Sequence, residues 1–264
     1  MHMCSQATDG RHLERARKGK VMQDQISTAT PNLAPHVQEH IARPAEALGA
    51  EQSIAAHRSP VYKRPFDMLV ATLLLVLTAP VAAVVAVIVK ITSPGPILFR
   101  QERLGQHGRA FTLYKFRTMY HGAGAEPHRE YFKLYRQGAR APGQVRAIYK
   151  LRRDPRITPL GGTLRRLALD ELPQLYNVLR GDMSVVGPRP PLRYEVEHYT
   201  ARDLLRLSVK PGITGLWQVR GRDVVDFDTM INLDLEYIQR QSLALDLWVL
   251  LATIPTVAWA YIRR

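Results

Sequence analysis

A chain of 264 residues, 46% of them hydrophobic, is long enough for one sizeable core with or without an appendage. Its single cysteine, Cys4, excludes an internal disulfide framework, and nothing argues for an oxidising compartment. With 37 Lys and Arg against 23 Asp and Glu, the formal charge of +14 points to an anionic partner: nucleic acid, a nucleotide or phosphate substrate, or an acidic membrane leaflet.

The opening stretch MHMCSQATDGRHLERARKGK is charged and has no apolar segment, so it does not read as a secretory signal. Residues 1–58, rich in Ala, His, Gln, Arg and Pro without sustained periodicity, read as a disordered polar tail. The composition then changes abruptly. Residues 59–93 contain an uncharged run from Met68 to Val89, long enough for a bilayer core of roughly 30 Å. Lys63 and Arg64 precede the run and Lys90, Arg100 and Arg103 follow it, so both flanks carry the positive charge that marks the cytoplasmic side. Pro80 stands near the middle, and each half reaches less than about 20 Å. Two readings stand level on these residues: a helix–break–helix hairpin that dips into one leaflet and returns, and a single kinked transmembrane helix.

After TSPGP, the apolar residues Ile97, Leu98 and Phe99, then Phe111, Leu113 and Phe116, flank the loop GQHG and predict a β-hairpin. Its second arm carries Lys115 and Arg117; for either alone, a solvated strand face is the plainer reading. Residues 121–148 read as a polar loop with one short helix. Thr158-Pro159 is a helix start, Thr as N-cap and Pro in the first turn, and the helix runs to about Leu169 with Leu160, Leu164 and Leu167 on one stripe. A second helix is predicted from Asp170, as N-cap with Pro173 in its first turn, to Gly181.

Asp170 and Glu171 thus lie side by side at a helix-to-helix joint, with Arg165 and Arg166 just upstream. Adjacent carboxylates suit a divalent cation, the arginines suit a phosphate, and a carboxylate aimed at a diphosphate can act as a nucleophile. Taken without context, an N-cap followed by a solvated Glu is the plainer reading of the pair. Downstream, VVGPRPP is a rigid turn that fixes Arg189 between two prolines, and VKPGITGLWQVRGR reads as a turn and short strand. The remainder reads as two helices, the last from about Leu243. That helix is strongly apolar, carries Asp246 and Pro255, and ends in Trp259, Tyr261 and Arg263; a membrane-surface placement is preferred over a second span.

Five stretches in order, KRPFD, SPGPILFRQERLG, YKFRTM, DPRITPLGGTLRRLALDELPQLYNVLRGDMSVVGPRP and KPGITGLWQVRGR, resemble the bacterial sugar transferases, the monotopic phosphoglycosyl transferases. The resemblance runs from about Lys63 to the C-terminus and leaves out the tail. It implies transfer of sugar-1-phosphate from a UDP-sugar to a polyprenyl (undecaprenyl) phosphate, with release of UMP, in the initiation of exopolysaccharide, capsule, O-antigen or glycoconjugate synthesis. By that resemblance Asp170 is the nucleophile that forms a covalent aspartyl-phosphosugar, and Glu171 places Mg2+ or handles protons, both acids serving the metal. Arg165 is a phosphate contact, Arg189 a nucleotide-side arginine, and Lys115 and Arg117 support them. The implied fold is mainly α with a small β-hairpin: a monotopic membrane protein with a re-entrant N-terminal helix–break–helix and interfacial amphipathic helices. Three regions follow: the tail 1–58, the re-entrant hairpin 59–93, and a catalytic domain 94–264 on the cytoplasmic face of the bacterial inner membrane. The family often has Ser-Pro at the break. Here it is Ala79-Pro80, and Thr78 is the residue that could bond back to a carbonyl in its place.

A non-enzymatic membrane adaptor that binds nucleic acid is the competing class. The sequence shows no helix-turn-helix, zinc pattern or aromatic-rich RNA motif, so no nucleic-acid partner is expected. Which sugar is transferred and whether the chain forms a homo-oligomer are not legible in the residues.

Overall fold

The structure, a computed structural model, describes residues 57–120, 122–124, 126–136, 154–221 and 226–262. The expected tail, much of the polar loop, and the side chains expected as C-terminal anchors (Trp259, Tyr261, Arg263) lie outside the described residues.

The described chain is mainly helical with a small antiparallel hairpin, as the sequence predicts. The apolar run forms α1 (Lys63–Thr92). The expected break at Pro80 is not there: the helix continues through the proline. Pro80 withholds a donor from the Val76 carbonyl, but the Thr78 hydroxyl donates to the Leu74 carbonyl at 2.7 Å, and such side-chain bonds let apolar helices tolerate proline. Both halves of α1 nonetheless lie against the same body. Ala71 joins a core with Leu113, Leu175, Val178 and Val186, whereas Val85 and Val89 join Phe116 and Leu164. Between and around these contacts Leu73, Val76, Leu77 and Val84 are exposed. Among the described residues α1 is the one helix long and apolar enough to cross a membrane.

Next come β1 (Leu98–Leu104) and β2 (Ala110–Phe116), paired from Leu98 opposite Phe116 to Leu104 opposite Ala110. After α2 (Glu126–Arg136) come α3 (Pro159–Arg166) and α4 (Gln174–Arg180). The segment VVGPRPP is more than a turn. Its valines belong to β3 (Ser184–Val186), which pairs in parallel with β4 (Gly212–Thr214). Short helices α5 (Arg193–Val196) and α6 (Ala201–Leu204) lie between these two strands. The stretch after β4 is helical, α7 (Leu216–Arg220), and two longer helices close the chain, α8 (Phe227–Gln239) and α9 (Leu243–Ile262).

One buried polar knot ties the ends of this architecture together. Lys63, at the start of α1, donates to the Val186 carbonyl of β3 at 2.9 Å and to Asp246 of α9 at 2.8 Å. Asp246 also accepts from Tyr237 at 2.7 Å and from Tyr62 at 3.2 Å. Asp67, one turn along α1, accepts from the Ser184 hydroxyl at 2.8 Å and the Val185 amide at 3.0 Å. The acid that looked out of place in the apolar α9 is therefore internal, and its charge is compensated as buried charge must be.

Candidate active site

The site begins with α3. Thr158 caps it, its hydroxyl accepting from the Gly161 amide at 3.0 Å, and Pro159 occupies the first turn, as predicted. The helix ends at Arg166, short of Leu169. Ala168 then adopts a left-handed conformation, φ 55°, and turns the chain into a single 3-10 turn, Leu169–Glu171. This corrects the expectation that Asp170 caps the second helix. The Glu171 and Leu172 amides bond to the Ala168 and Leu169 carbonyls, so the turn uses the first donors itself, and α4 starts after Pro173. Its end matches the prediction: Gly181 has φ 90° and donates back to the Asn177 and Val178 carbonyls.

Asp170 is recessed, 6% exposed, while Glu171 is half-buried beside it. Lys115, on β2, reaches Glu171 with 2.9 Å between Nζ and Oε1. Arg165 donates through Nε to the Thr118 hydroxyl at 2.8 Å. Burial is the largest influence on its guanidinium and lowers its affinity for the proton; the negative charges of Asp170, Asp154 and Glu171 oppose this. Four of the expected residues, Asp170, Glu171, Arg165 and Lys115, thus share one recess.

The other two are engaged elsewhere. Arg117 is buried and acts on α1: its guanidinium donates to the carbonyls of Pro96, Val89 (3.3 Å) and Ser93 (2.7 Å) and to the Ser93 hydroxyl (2.8 Å). That corrects its expected role as a phosphate group. It satisfies carbonyls that the end of α1 leaves without donors. Arg189 pairs with Glu195 at 3.0 Å, and its carbonyl accepts from Arg206 at 3.4 Å. Burial would raise the Glu195 carboxyl, but the charges of Arg189 and Arg103 outweigh it and hold the group at about 2. Arg103 also donates to the Pro190 carbonyl at 3.0 Å, so the proline-flanked turn is fixed from both sides.

Sequence reasoning passed over the residues between these two centres. Arg156 is gripped by Asp154 at 2.8 and 2.7 Å and lies within electrostatic range of Arg165 on one side and of His128 and Tyr194 on the other. His128 meets the Tyr194 hydroxyl at 2.5 Å, and burial pushes its imidazole down to about 4. Arg156 thus feels both Arg165 beside the acids and the His128–Tyr194 pair near Arg189. The one available signal was the turn Asp154-Pro155-Arg156, part of a stretch noted only for its resemblance.

Among the described residues no group of three or more His, Cys, Asp or Glu side chains is placed to hold a metal ion. The neighbouring Asp170 and Glu171 carboxylates are hard oxygen donors, the chemistry that divalent cations such as Mg2+ prefer.

A family profile described as bacterial sugar transferase matches residues 58–260. The exopolysaccharide production protein ExoY of Rhizobium meliloti is 42% identical over 195 residues, 74% of this chain and 84% of that protein. The undecaprenyl-phosphate galactose phosphotransferase of Salmonella typhimurium is 38% identical over 212 residues, 80% of this chain but 43% of its own length. The undecaprenyl-phosphate glucose phosphotransferase of Komagataeibacter xylinus is 38% identical over 232 residues, 80% of this chain and 40% of its own. The recess of acids and cations accordingly lies within the matched region, and the chain belongs to the bacterial sugar transferase family.

Proposed function

We propose that this chain transfers sugar-1-phosphate from a UDP-sugar to a polyprenyl phosphate, in two displacements at Asp170. The observation that carries the reading is the recessed Asp170 beside Glu171, Lys115 and Arg165. The Asp170 carboxylate attacks the phosphorus that bears the sugar. The bond from that phosphorus to the bridging oxygen breaks, and UMP leaves with the electron pair. The acyl-phosphate is then attacked by an oxygen of the lipid phosphate, which frees the carboxylate and gives the polyprenyl-diphosphate sugar. Arg165 and Lys115 supply the positive charge that the crowded phosphate oxygens need. Asp170 and Glu171 would hold Mg2+ when it is bound, and its chemistry there is neutralisation of the diphosphate. Arg189 supports the nucleotide end through its fixed turn.

The acceptor's phosphate lies at headgroup level, so the site must work at the membrane. Both halves of α1 pack on one body with its exposed apolar middle between them, which favours a continuous helix that bends at Pro80 as it enters the inner leaflet of the cytoplasmic membrane and returns. On the same reading α9 lies along the surface, with Leu247, Trp248, Leu251 and Ile254 exposed.

The test is release of UMP from a panel of UDP-sugars by the detergent-purified protein with polyprenyl phosphate. D170N should abolish release, and radiolabelled phosphosugar should remain on the wild-type protein when no lipid acceptor is added. Full activity in D170N would remove Asp170 as the nucleophile, absence of UMP release from the wild type with every donor would remove the enzyme reading, and turnover without trapped label would replace the covalent route by direct displacement.

A further inference from the structure

Of the two arginines just upstream of the acids, Arg166 is exposed and Arg165 is half-buried, yet the fork of Arg165 is only partly used. Nε donates to the Thr118 hydroxyl at 2.8 Å, and among the described residues neither Nη1 nor Nη2 has a hydrogen-bond partner. Burial penalises the charge, but the residue is only half-buried and its Nη groups are not among the buried atoms without partners, so that edge stays open to an anion from solution. The Nη1–Nη2 edge is one of the faces by which a guanidinium grips two oxygens of one phosphate.

Thr118 decides where that edge points. It is 6% exposed and belongs to β2's continuation rather than to α3. Its own backbone is pinned, the carbonyl accepting from the Thr158 amide at 3.0 Å. The contact spans 47 positions in sequence, so it is not a local by-product of helix or turn geometry. In this extended stretch no helical carbonyl lies one turn back for the hydroxyl, and its oxygen receives the Arg165 Nε–H.

We propose that Thr118 is a positioning residue for the transfer reaction: by accepting from Nε of Arg165, it aims the two Nη groups at the oxygens of the donor's diphosphate. This rests on the function proposed above. Thr118 itself touches no substrate and acts only through the orientation of the arginine.

The test uses the full chain in detergent with four variants: T118V, which keeps the shape and removes the acceptor, T118S, R165K, and the double variant T118V/R165K. Two quantities are read: binding of inorganic pyrophosphate by calorimetry, and kcat/KM for the UDP-sugar from UMP release. T118V should weaken both about tenfold, the equivalent of about 1.4 kcal/mol. T118S should restore both. A lysine has no Nε–H on a planar fork, so in the R165K background T118V should cost nothing further. Equal losses from T118V in both backgrounds would mean that Thr118 acts by packing alone, and wild-type binding in T118V would also overturn the inference. If R165K binds pyrophosphate as the wild type does, Arg165 is not a phosphate group and the failure lies in the functional reading. If R165K weakens binding and T118V does not, only the role of Thr118 falls.

Discussion

Gly161 gives the sharpest test of how the recess is held together. A Cβ at this position would lie 2.1 Å from the Thr118 carbonyl oxygen, 2.7 Å from its carbonyl carbon and 2.8 Å from its Cα. All three are backbone atoms, so no side chain can swing aside. In G161A, α3 and the end of β2 must separate by more than about 1 Å to reach ordinary contact. The Thr158–Thr118 backbone bond at 3.0 Å and the Arg165–Thr118 bond at 2.8 Å both span the seam that opens. Overpacking costs about 1–3 kcal/mol and the lost backbone bond about 1 more, so Tm should fall by roughly 5–12 °C for a body of this size. Displacing Arg165 by about 1 Å should lower the transfer rate by about 100-fold. The neighbouring Gly162 is the control, because a Cβ there meets nothing within 4 Å. G162A should be neutral or stabilise by up to about 1 kcal/mol through helix propensity. Thermal unfolding in detergent and UMP release, measured side by side, check both. If G161A matches G162A in stability and rate, the close seam between α3 and β2 does not hold the site.

Two further outcomes follow from buried charge. K63M should strand Asp67 and Asp246 without their cation and cost about 3–5 kcal/mol, read by denaturant unfolding; a loss below about 1 kcal/mol would mean that the knot is not the brace described. Stability should also fall on acidification in two stages. His128 sits at about 4 in the folded chain against an ordinary 6.5, so its contribution is complete above 6.5 and is lost as pH falls toward 4. Glu195, at about 2 against 4.5, contributes fully above 4.5, and that contribution is lost as pH falls through 2. H128N should flatten the upper stage of the Tm–pH profile and leave the lower one; an unchanged upper stage would assign it to other groups.

Much of this was readable from local chemistry. The Thr158-Pro159 cap, the Gly181 stop, the hairpin around GQHG and the helix from Leu243 each depend on residues within a few positions of one another. What escaped depends on partners far along the chain. Val185 and Val186 read as part of a turn because their strand pairs with Gly212–Thr214, beyond two helices. Arg117 reads like Lys115 two residues before it, and only the path of α1 separates a buried cap from a group at the acids. Asp170 follows the N-cap pattern, but the left-handed Ala168 upstream spends the donors first. Alanine has no special preference for that conformation, so composition gave no warning. The adjacency of the two acids was legible; the hand of the turn that presents them was not.

Residues 115–118 show how little slack surrounds the chemistry. Lys115 meets Glu171, Phe116 packs with Val85 and Val89, Arg117 closes the end of α1, and Thr118 carries Arg165. Four successive side chains serve four different clients. Deleting or inserting one residue in β2 would hand each client the wrong neighbour at once, because a strand that slips by one place reverses its faces. Length variation should therefore be absorbed at the tip, around Gln106–Gly108, while this tetrapeptide behaves as a fixed junction through which the long apolar helix α1 and the paired acids share one coordinate frame.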